Sequence, residues 1–156
     1  IVLITSCSRD EEDAQYIDQI LNIYVKDATD KDLINPRIPG SFTSVQFFDL
    51  LAETDLRPVS TLSLLKDKDT VTYIDYTAGA TRLLDNTTSG DNKNYYSEML
   101  VRFSKTENNQ TIIDEDTIKI EYNWTPKSFH VSKMWHSNQL VFTKEEGKPN
   151  IIKLVK

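Results

Sequence analysis

The single cysteine of the chain lies where a chemical role is easier to explain than a structural one. Cys7 is the only cysteine among 156 residues, so no disulfide can form within the chain. Residues 1–4 are apolar and Thr5 and Ser6 are small, as at the end of a secretory signal peptide and its cleavage site. A charge cluster follows, so no hydrophobic core can bury Cys7 there. These features favour a chemical role over the buried, inert state of most free cysteines.

The four residues from Ile4 to Cys7 resemble the lipobox of bacterial lipoproteins. The resemblance implies that the Cys7 thiol is diacylated, that the chain is cut before Cys7, and that residues 1–6 are lost as a signal-peptide remnant. Two or three acyl chains anchor a protein stably, at about 0.8 kcal/mol per buried methylene group. The alternative is an N-terminal strand that buries Cys7. The first expected partner is therefore a membrane.

An acidic run follows the cysteine at Asp10, Glu11, Glu12 and Asp13. It resembles the tether that exports lipoproteins of the Bacteroidota to the outer leaflet of the outer membrane. The resemblance implies a lipid-anchored outer-membrane protein, at the cell surface rather than at the periplasmic face. A charge run is also typical of a solvated, flexible linker, and both interpretations can hold together. We therefore expect a tether over residues 7–18.

Metal-ligating residue types occur in two patterns, and neither has a recognised ligand spacing. His130 and His136 are the two histidines; on one straight strand they would share a face about 20 Å apart, too far for one zinc ion. Asp27, Asp30 and Asp32 place three carboxylates on a turn, where oxygen ligands can hold calcium. Turn formation explains these aspartates without a metal. We expect no metal and no other cofactor, and calcium at the aspartates stays an open alternative.

Recognised catalytic patterns are missing from the sequence. It has no Gly-x-Ser-x-Gly motif, and its four glycines leave no phosphate-binding loop. The neighbouring carboxylates Glu115 and Asp116 stand at the start of a predicted strand, where we expect them to be solvated. The net charge of −6 repels the phosphate backbone of nucleic acids. We therefore expect a protein that is not an enzyme and does not bind nucleic acid.

Aromatic side chains offer a further way to bind a ligand, because they stack on sugar rings and on protein partners. Trp124 lies on the apolar face of its predicted strand and is expected in the core. Trp135 adjoins a predicted hairpin turn, and Tyr95 and Tyr96 follow a long polar stretch. Tyr95, Tyr96 and Trp135 are the predicted contacts for a ligand or partner. The alternative is that all three pack in the core.

Two short patterns resemble the three-residue O-glycosylation acceptor of exported Bacteroidota proteins. They are centred on Thr70 and Thr117, each preceded by Asp and followed by Val or Ile. The resemblance implies a sugar on these two hydroxyl groups. Each pattern also fits the ordinary start of a strand.

Short stretches that alternate apolar and polar residues dominate the rest of the chain. In the clearest of them, Ile118, Ile120, Tyr122 and Trp124 share one face, which is the period of a half-buried strand. Further strands are predicted over residues 20–26, 42–51, 61–65, 71–76, 95–104, 129–135, 140–143 and 151–155.

Turn-forming residues separate these segments. Ser137 and Asn138 are predicted to close a hairpin. Residues 85–94 are rich in Asn, Asp, Thr, Ser and Gly, and are predicted to form a long mobile loop. Helical periodicity is weak throughout. The sequence predicts an all-β fold, an antiparallel β-sandwich of about seven to nine short strands in a single domain over residues 19–156.

Two parts of the chain resemble small lipoproteins of the Bacteroidota. Residues 23–27 with 31–36 are similar to the opening strand, turn and second step of that group, and residues 116–122 with 133–142 to its closing hairpin. The resemblance implies an immunoglobulin-like sandwich. It implies no particular activity, because this fold hosts many functions.

Two hypotheses for the function follow. The first is a non-catalytic, lipid-anchored accessory or interaction protein of the bacterial outer membrane, docked as a subunit on a larger outer-membrane protein complex. The alternative is a cell-surface module that binds a glycan or another small ligand. Exposed aromatic residues beside a groove would favour the alternative.

Overall fold

A computed structural model describes residues 14–156, apart from the side chains of residues 86–89. Within that range the chain forms twelve strands. It contains no helix that is long and apolar enough to cross a membrane. In chain order the strands are β1 (Tyr16–Asp18), β2 (Ile20–Lys26), β3 (Ser44–Asp49), β4 (Arg57–Val59), β5 (Leu62–Lys66), β6 (Thr72–Thr77), β7 (Leu83–Ser89), β8 (Asn92–Glu107), β9 (Gln110–Thr125), β10 (Ser128–His136), β11 (Gln139–Thr143) and β12 (Asn150–Val155).

The strands form two sheets that pack face to face. The larger sheet has eight strands in the order β1-β10-β9-β8-β3-β4, with β11 beside β10 and β7 beside β8. The smaller sheet has four strands in the order β12-β2-β6-β5. Rings from the two sheets meet in the core, where Phe47 of β3 lies edge-on to Tyr76 of β6 with centroids 5.2 Å apart. The predicted all-β sandwich is confirmed.

Alternation along the strands supplies the core, as the sequence predicts. Leu21, Ile23 and Val25 of β2 are fully buried, and so are Ile120 and Tyr122 of β9. Removal of such apolar surface from water is the main favourable contribution to folding. The buried Tyr122 hydroxyl lies 3.1 Å from the hydroxyl of Ser97. Burial raises the pKa of the Tyr122 phenol above its usual value.

Strand number and direction differ from the prediction. The described residues form twelve strands where about seven to nine were expected. Two pairs run parallel, β1 with β10 and β12 with β2, so both sheets are mixed and not purely antiparallel. The cause is that the terminal strands β1 and β12 pair with strands that are distant in the chain, whereas a hairpin connection joins strands only in antiparallel fashion. The immunoglobulin-like strand order stays a prediction.

The predicted mobile loop over residues 85–94 is wrong, because β7 and β8 form a hairpin there. Its polar residues pair across strands. The side-chain amide of Asn123 on β9 donates to the side-chain oxygens of Asn92, at 2.7 Å, and Asn94, at 3.0 Å, on β8. Asparagine side chains therefore bridge neighbouring strands in this part of the sheet. Composition alone does not distinguish asparagines in such a bridge from asparagines in a loop.

The sandwich also includes residues 16–18, which the prediction placed in the tether. They form β1 and pair in parallel with residues 128–130 of β10. The Asp18 carboxylate accepts hydrogen bonds from the ammonium group of Lys144 and, at 2.8 Å, from the amide of Asn150. The boundary at residue 19 is therefore too late, because these polar contacts attach β1 to the domain.

A polar cluster joins the two sheets beside the end of β12. The ammonium group of Lys156 contacts the carboxylate of Asp116 and lies 3.0 Å from that of Asp114. Nε2 of His136 lies 2.8 Å from Asp116 as well. Burial acts to raise the pKa of Asp116, but the hydrogen bonds from Lys156 and His136 outweigh it, so that this pKa lies below its usual value. The expectation of a solvated Asp116 is wrong, because the residue lies within β9 and these partners enclose it.

We predict that Asp116→Asn lowers stability in a pH-dependent way. A carboxyl whose folded-state pKa is depressed stabilises the fold above its unfolded-state pKa, and this contribution is lost as the pH falls through the folded-state pKa. Urea unfolding of both proteins at about pH 5 and about pH 2.5 measures the effect. The difference between them should be larger at the higher pH. Asp55→Asn, at an exposed residue without an ion pair among the described side chains, serves as the control, and an equal difference at both pH values for Asp116→Asn would contradict the account.

Candidate functional site

A β-bulge in β10 decides which side chains reach the outer face of the larger sheet. Val131 and Lys133 pair with consecutive residues of β9, so Ser132 is an extra residue. Past a bulge the alternation of faces is shifted by one residue. Val131 and Met134 are therefore both fully buried although they are three apart. As a result, Trp135 lies on the outer face.

Hydrogen bonds hold the extra residue in place. The Ser132 hydroxyl lies 3.1 Å from both the backbone oxygen and the carboxylate of Glu121, to which it can donate. The backbone oxygen of Ser132 accepts a hydrogen bond of 2.8 Å from the amide of Lys144. The bulge was missed in the sequence. Its signal there is the spacing of three between the apolar residues Val131 and Met134, which breaks the period of two.

The outer face carries two aromatic rings with a cation between them. Trp135 of β10 pairs with Lys119 of β9, and Lys119 pairs with Glu98 of β8, so the three form one row across the sheet. The ammonium nitrogen of Lys119 lies 5.1 Å from the ring centroid of Tyr96 and 5.4 Å from that of Trp135. Both distances are in the range of a cation–π contact. Lys119 takes part in no ion pair among the described side chains.

A half-open cleft of about 530 Å³ lies along this row, and we call it the outer cleft. Besides Glu98, Lys119 and Trp135, it is lined by Leu50, Thr117, Ile118 and Asn138. The lining thus combines apolar surface with hydroxyl, amide, carboxylate and ammonium groups. A concave surface with few polar groups among apolar ones is typical of ligand-binding sites.

The predicted hairpin turn is confirmed, and it delivers Asn138 to the outer cleft. Ser137 and Asn138 both have positive φ, at 48° and 66°. This is the backbone of a two-residue turn whose twist matches that of the flanking strands, and Asn adopts it more readily than most residues.

Two of the three predicted contact residues meet at this site. Tyr96 and Trp135 both contact Lys119. Tyr95 points the other way, because successive residues of a strand face opposite sides of the sheet. It pairs with the buried Tyr122 and packs partly against the core. The expected Tyr95–Tyr96 pair is therefore divided between two faces, and Lys119 and Glu98 are site residues that the sequence analysis did not name.

The two histidines lie on opposite faces of β10. His130 pairs with Asn123 on the outer side, whereas His136 pairs with the buried Ile118 on the inner side. The inference that they share a face is wrong, because the bulge at Ser132 lies between them.

The three aspartates considered for calcium have protein partners. Asp27 accepts hydrogen bonds from Thr29 and Lys31, which hold the pKa of its carboxyl below the usual value. Asp30 pairs with Lys153 at 2.7 Å, and Asp32 accepts from the backbone of its own turn and of β6. Among the residues that the structure describes, no group of three or more His, Cys, Asp or Glu side chains is arranged to hold a metal ion.

The remaining predicted sites concern modification and anchoring. Thr70 is exposed in the turn between β5 and β6, and Thr117 is exposed on β9 beside the outer cleft. Glycosylation of either stays a prediction. Cys7 and the acidic residues 10–13 lie outside the described residues.

Comparison of the chain with protein-family models, with curated proteins and with solved structures finds no match. The function proposed below therefore rests on the chemistry of the site and on the sequence motifs.

Proposed function

We propose that this protein is a non-catalytic, lipid-anchored module of the bacterial cell surface that binds a neutral glycan in the outer cleft. The observation that carries the proposal is the lysine ammonium held between the rings of Tyr96 and Trp135 on an exposed sheet face. As a glycan-binding subunit it would serve a larger outer-membrane assembly.

The chemistry of the outer cleft matches that of a sugar. The C–H faces of a sugar ring are apolar and stack on aromatic rings. Its hydroxyl groups both donate and accept hydrogen bonds, and the lining offers both kinds of partner. Lys119 donates, Glu98 accepts, and Asn138 does both. Because the cleft is half-open, it suits a segment of an oligosaccharide better than an enclosed monosaccharide.

The number of carboxylates in the outer cleft supports glycan binding without cleavage. Most glycoside hydrolases place two carboxylates on either side of the scissile bond. Among the described residues that line the outer cleft, Glu98 is the only acid. A single carboxylate next to Lys119 fits recognition of hydroxyl groups.

Fluorescence of Trp135 tests the glycan proposal. The chain has two tryptophans, so Trp124→Phe leaves Trp135 as the only indole. We expect a saturable change in its emission with at least one neutral oligosaccharide from a panel of plant, host and bacterial glycans. Tyr96→Ala should raise Kd about fivefold, because it removes one of the two rings that hold the Lys119 ammonium at the cleft, a contact of about 1 kcal/mol.

Tyr73→Ala is the matched control, since Tyr73 belongs to the smaller sheet and its ring contacts that of Tyr24 there, with centroids 5.4 Å apart. It should leave the glycan Kd unchanged. A panel that leaves the Trp135 emission flat, or an equal loss of affinity in Tyr73→Ala, would contradict the proposal.

The lipid anchor has its own test. The lipobox-like residues 4–7 and the acidic run after them support it. The protein purified from its native membrane in mild detergent should have the intact mass of a chain that begins at Cys7 and carries two or three acyl chains. Cys7→Ser should move the protein out of the membrane fraction. A membrane-derived protein that retains residues 1–6 without acyl chains would refute this part.

A further inference from the structure

A second aromatic cleft lies on the inner face of the larger sheet, and we call it the end cleft. Its volume is about 470 Å³. It is lined by Ile17, Gln19, Arg82, Tyr95, Trp124 and Phe129. None of these residues belongs to the smaller sheet, whose strands have at most seven residues, whereas β8 and β9 have sixteen each. The inner face of the longer strands therefore extends beyond the smaller sheet at this end.

A guanidinium group lies within cation–π distance of two aromatic rings at the end cleft. The Arg82 guanidinium carbon lies 4.8 Å from the ring centroid of Phe129 and 5.5 Å from that of Tyr122. These two rings are stacked with centroids 5.5 Å apart. Arg82 donates one hydrogen bond, of 3.2 Å, to the side-chain oxygen of Gln19. The N–H groups of Arg82 that have no hydrogen-bond partner among the described residues can donate to a ligand.

A second cation lies beside Trp124. Lys93 pairs with Trp124 across β8 and β9, and its ammonium nitrogen lies 5.0 Å from the centroid of the indole ring. Neither Arg82 nor Lys93 takes part in an ion pair among the described side chains. In a chain of net charge −6, two cations without carboxylate partners among the described side chains, beside half-buried rings, form a local site for an anion.

We propose that the end cleft binds a sugar ring that carries a carboxylate, as uronic acids do. The carboxylate would pair with the guanidinium of Arg82, whose planar fork matches two carboxylate oxygens. The ring would lie against Trp124 and Tyr95, and Lys93 would add positive charge at the edge of the site. This inference does not rest on the proposed function, because the end cleft shares no lining residue with the outer cleft.

The second single-tryptophan variant isolates the end cleft. Trp135→Phe leaves Trp124 as the only indole. Oligomers of galacturonate and glucuronate should change its emission saturably, and neutral oligomers of galactose and glucose of equal length should bind at least about tenfold more weakly. The Kd for the uronates should rise with salt, because screening weakens charge pairing. Uronates that leave the Trp124 emission unchanged, or neutral oligomers that bind as tightly, would overturn the proposal.

Variants in the same background assign the contact. Arg82→Gln should raise the uronate Kd about tenfold or more, because it removes a charged hydrogen-bonding partner. Arg57→Gln is the matched control, since Arg57 is exposed on β4 at the opposite edge of the sheet. Lys93→Gln provides a second readout if Arg82→Gln does not fold, and it should raise Kd by a smaller factor. An unchanged uronate Kd in Arg82→Gln would overturn the proposal. If Arg82→Gln does not fold, an unchanged uronate Kd in Lys93→Gln would overturn it.

Benzoate distinguishes a sugar acid from an aromatic acid, because both carry a carboxylate and an apolar ring face that can stack on aromatic side chains. Weaker binding of benzoate than of the uronate oligomers supports the sugar assignment, and tighter binding overturns it. Failure here is distinct from failure of the proposed function, because each cleft contains a different tryptophan.

Discussion

The outer cleft depends on one extra residue in β10. Without the bulge at Ser132, strict alternation would place Trp135 on the same side as the buried Val131. With it, Met134 is buried and Trp135 reaches the outer face beside Lys119. Hydrogen bonds from Ser132 to β9, and from Lys144 to Ser132, stabilise the bulged backbone. A local irregularity that re-aims a side chain is a recurring use of β-bulges near functional sites.

The unequal strand lengths of the two sheets explain the aromatic and cationic side chains of the end cleft. A short sheet covers only part of a long one, so the inner face of β8 and β9 carries half-buried aromatic residues at the open end. Arginine and lysine side chains lie over these rings in place of a second sheet, as long cationic side chains do on apolar surfaces. The two faces of the larger sheet therefore present different chemistry. The outer cleft has donors and an acceptor, and the end cleft has the cation Arg82 in its lining and the cation Lys93 beside Trp124.

Alternation in the sequence was sufficient to predict most strands and their buried faces, and Ile118, Ile120 and Tyr122 lie in the core as expected. Pairing between distant segments was not predictable in this way. The parallel partners of β1 and β12 depend on which sheet edges remain open after the hairpins form. The Asn-rich stretch was assigned to a loop, since its amides pair with a strand that is distant in sequence. Of the site, Tyr96 and Trp135 were predicted, whereas the bulge that brings them together was not.

Proton–proton contacts of the Trp135 indole in the unliganded protein test the central claim most directly. If the bulge directs Trp135 outward, nuclear Overhauser effects should connect the methylene groups of Lys119 both to the Trp135 indole and to the ring of Tyr96. Contacts from the same indole to the buried methyl groups of Met99 and Val101 would place it in the core. That result would remove the outer cleft, and with it the proposed glycan site.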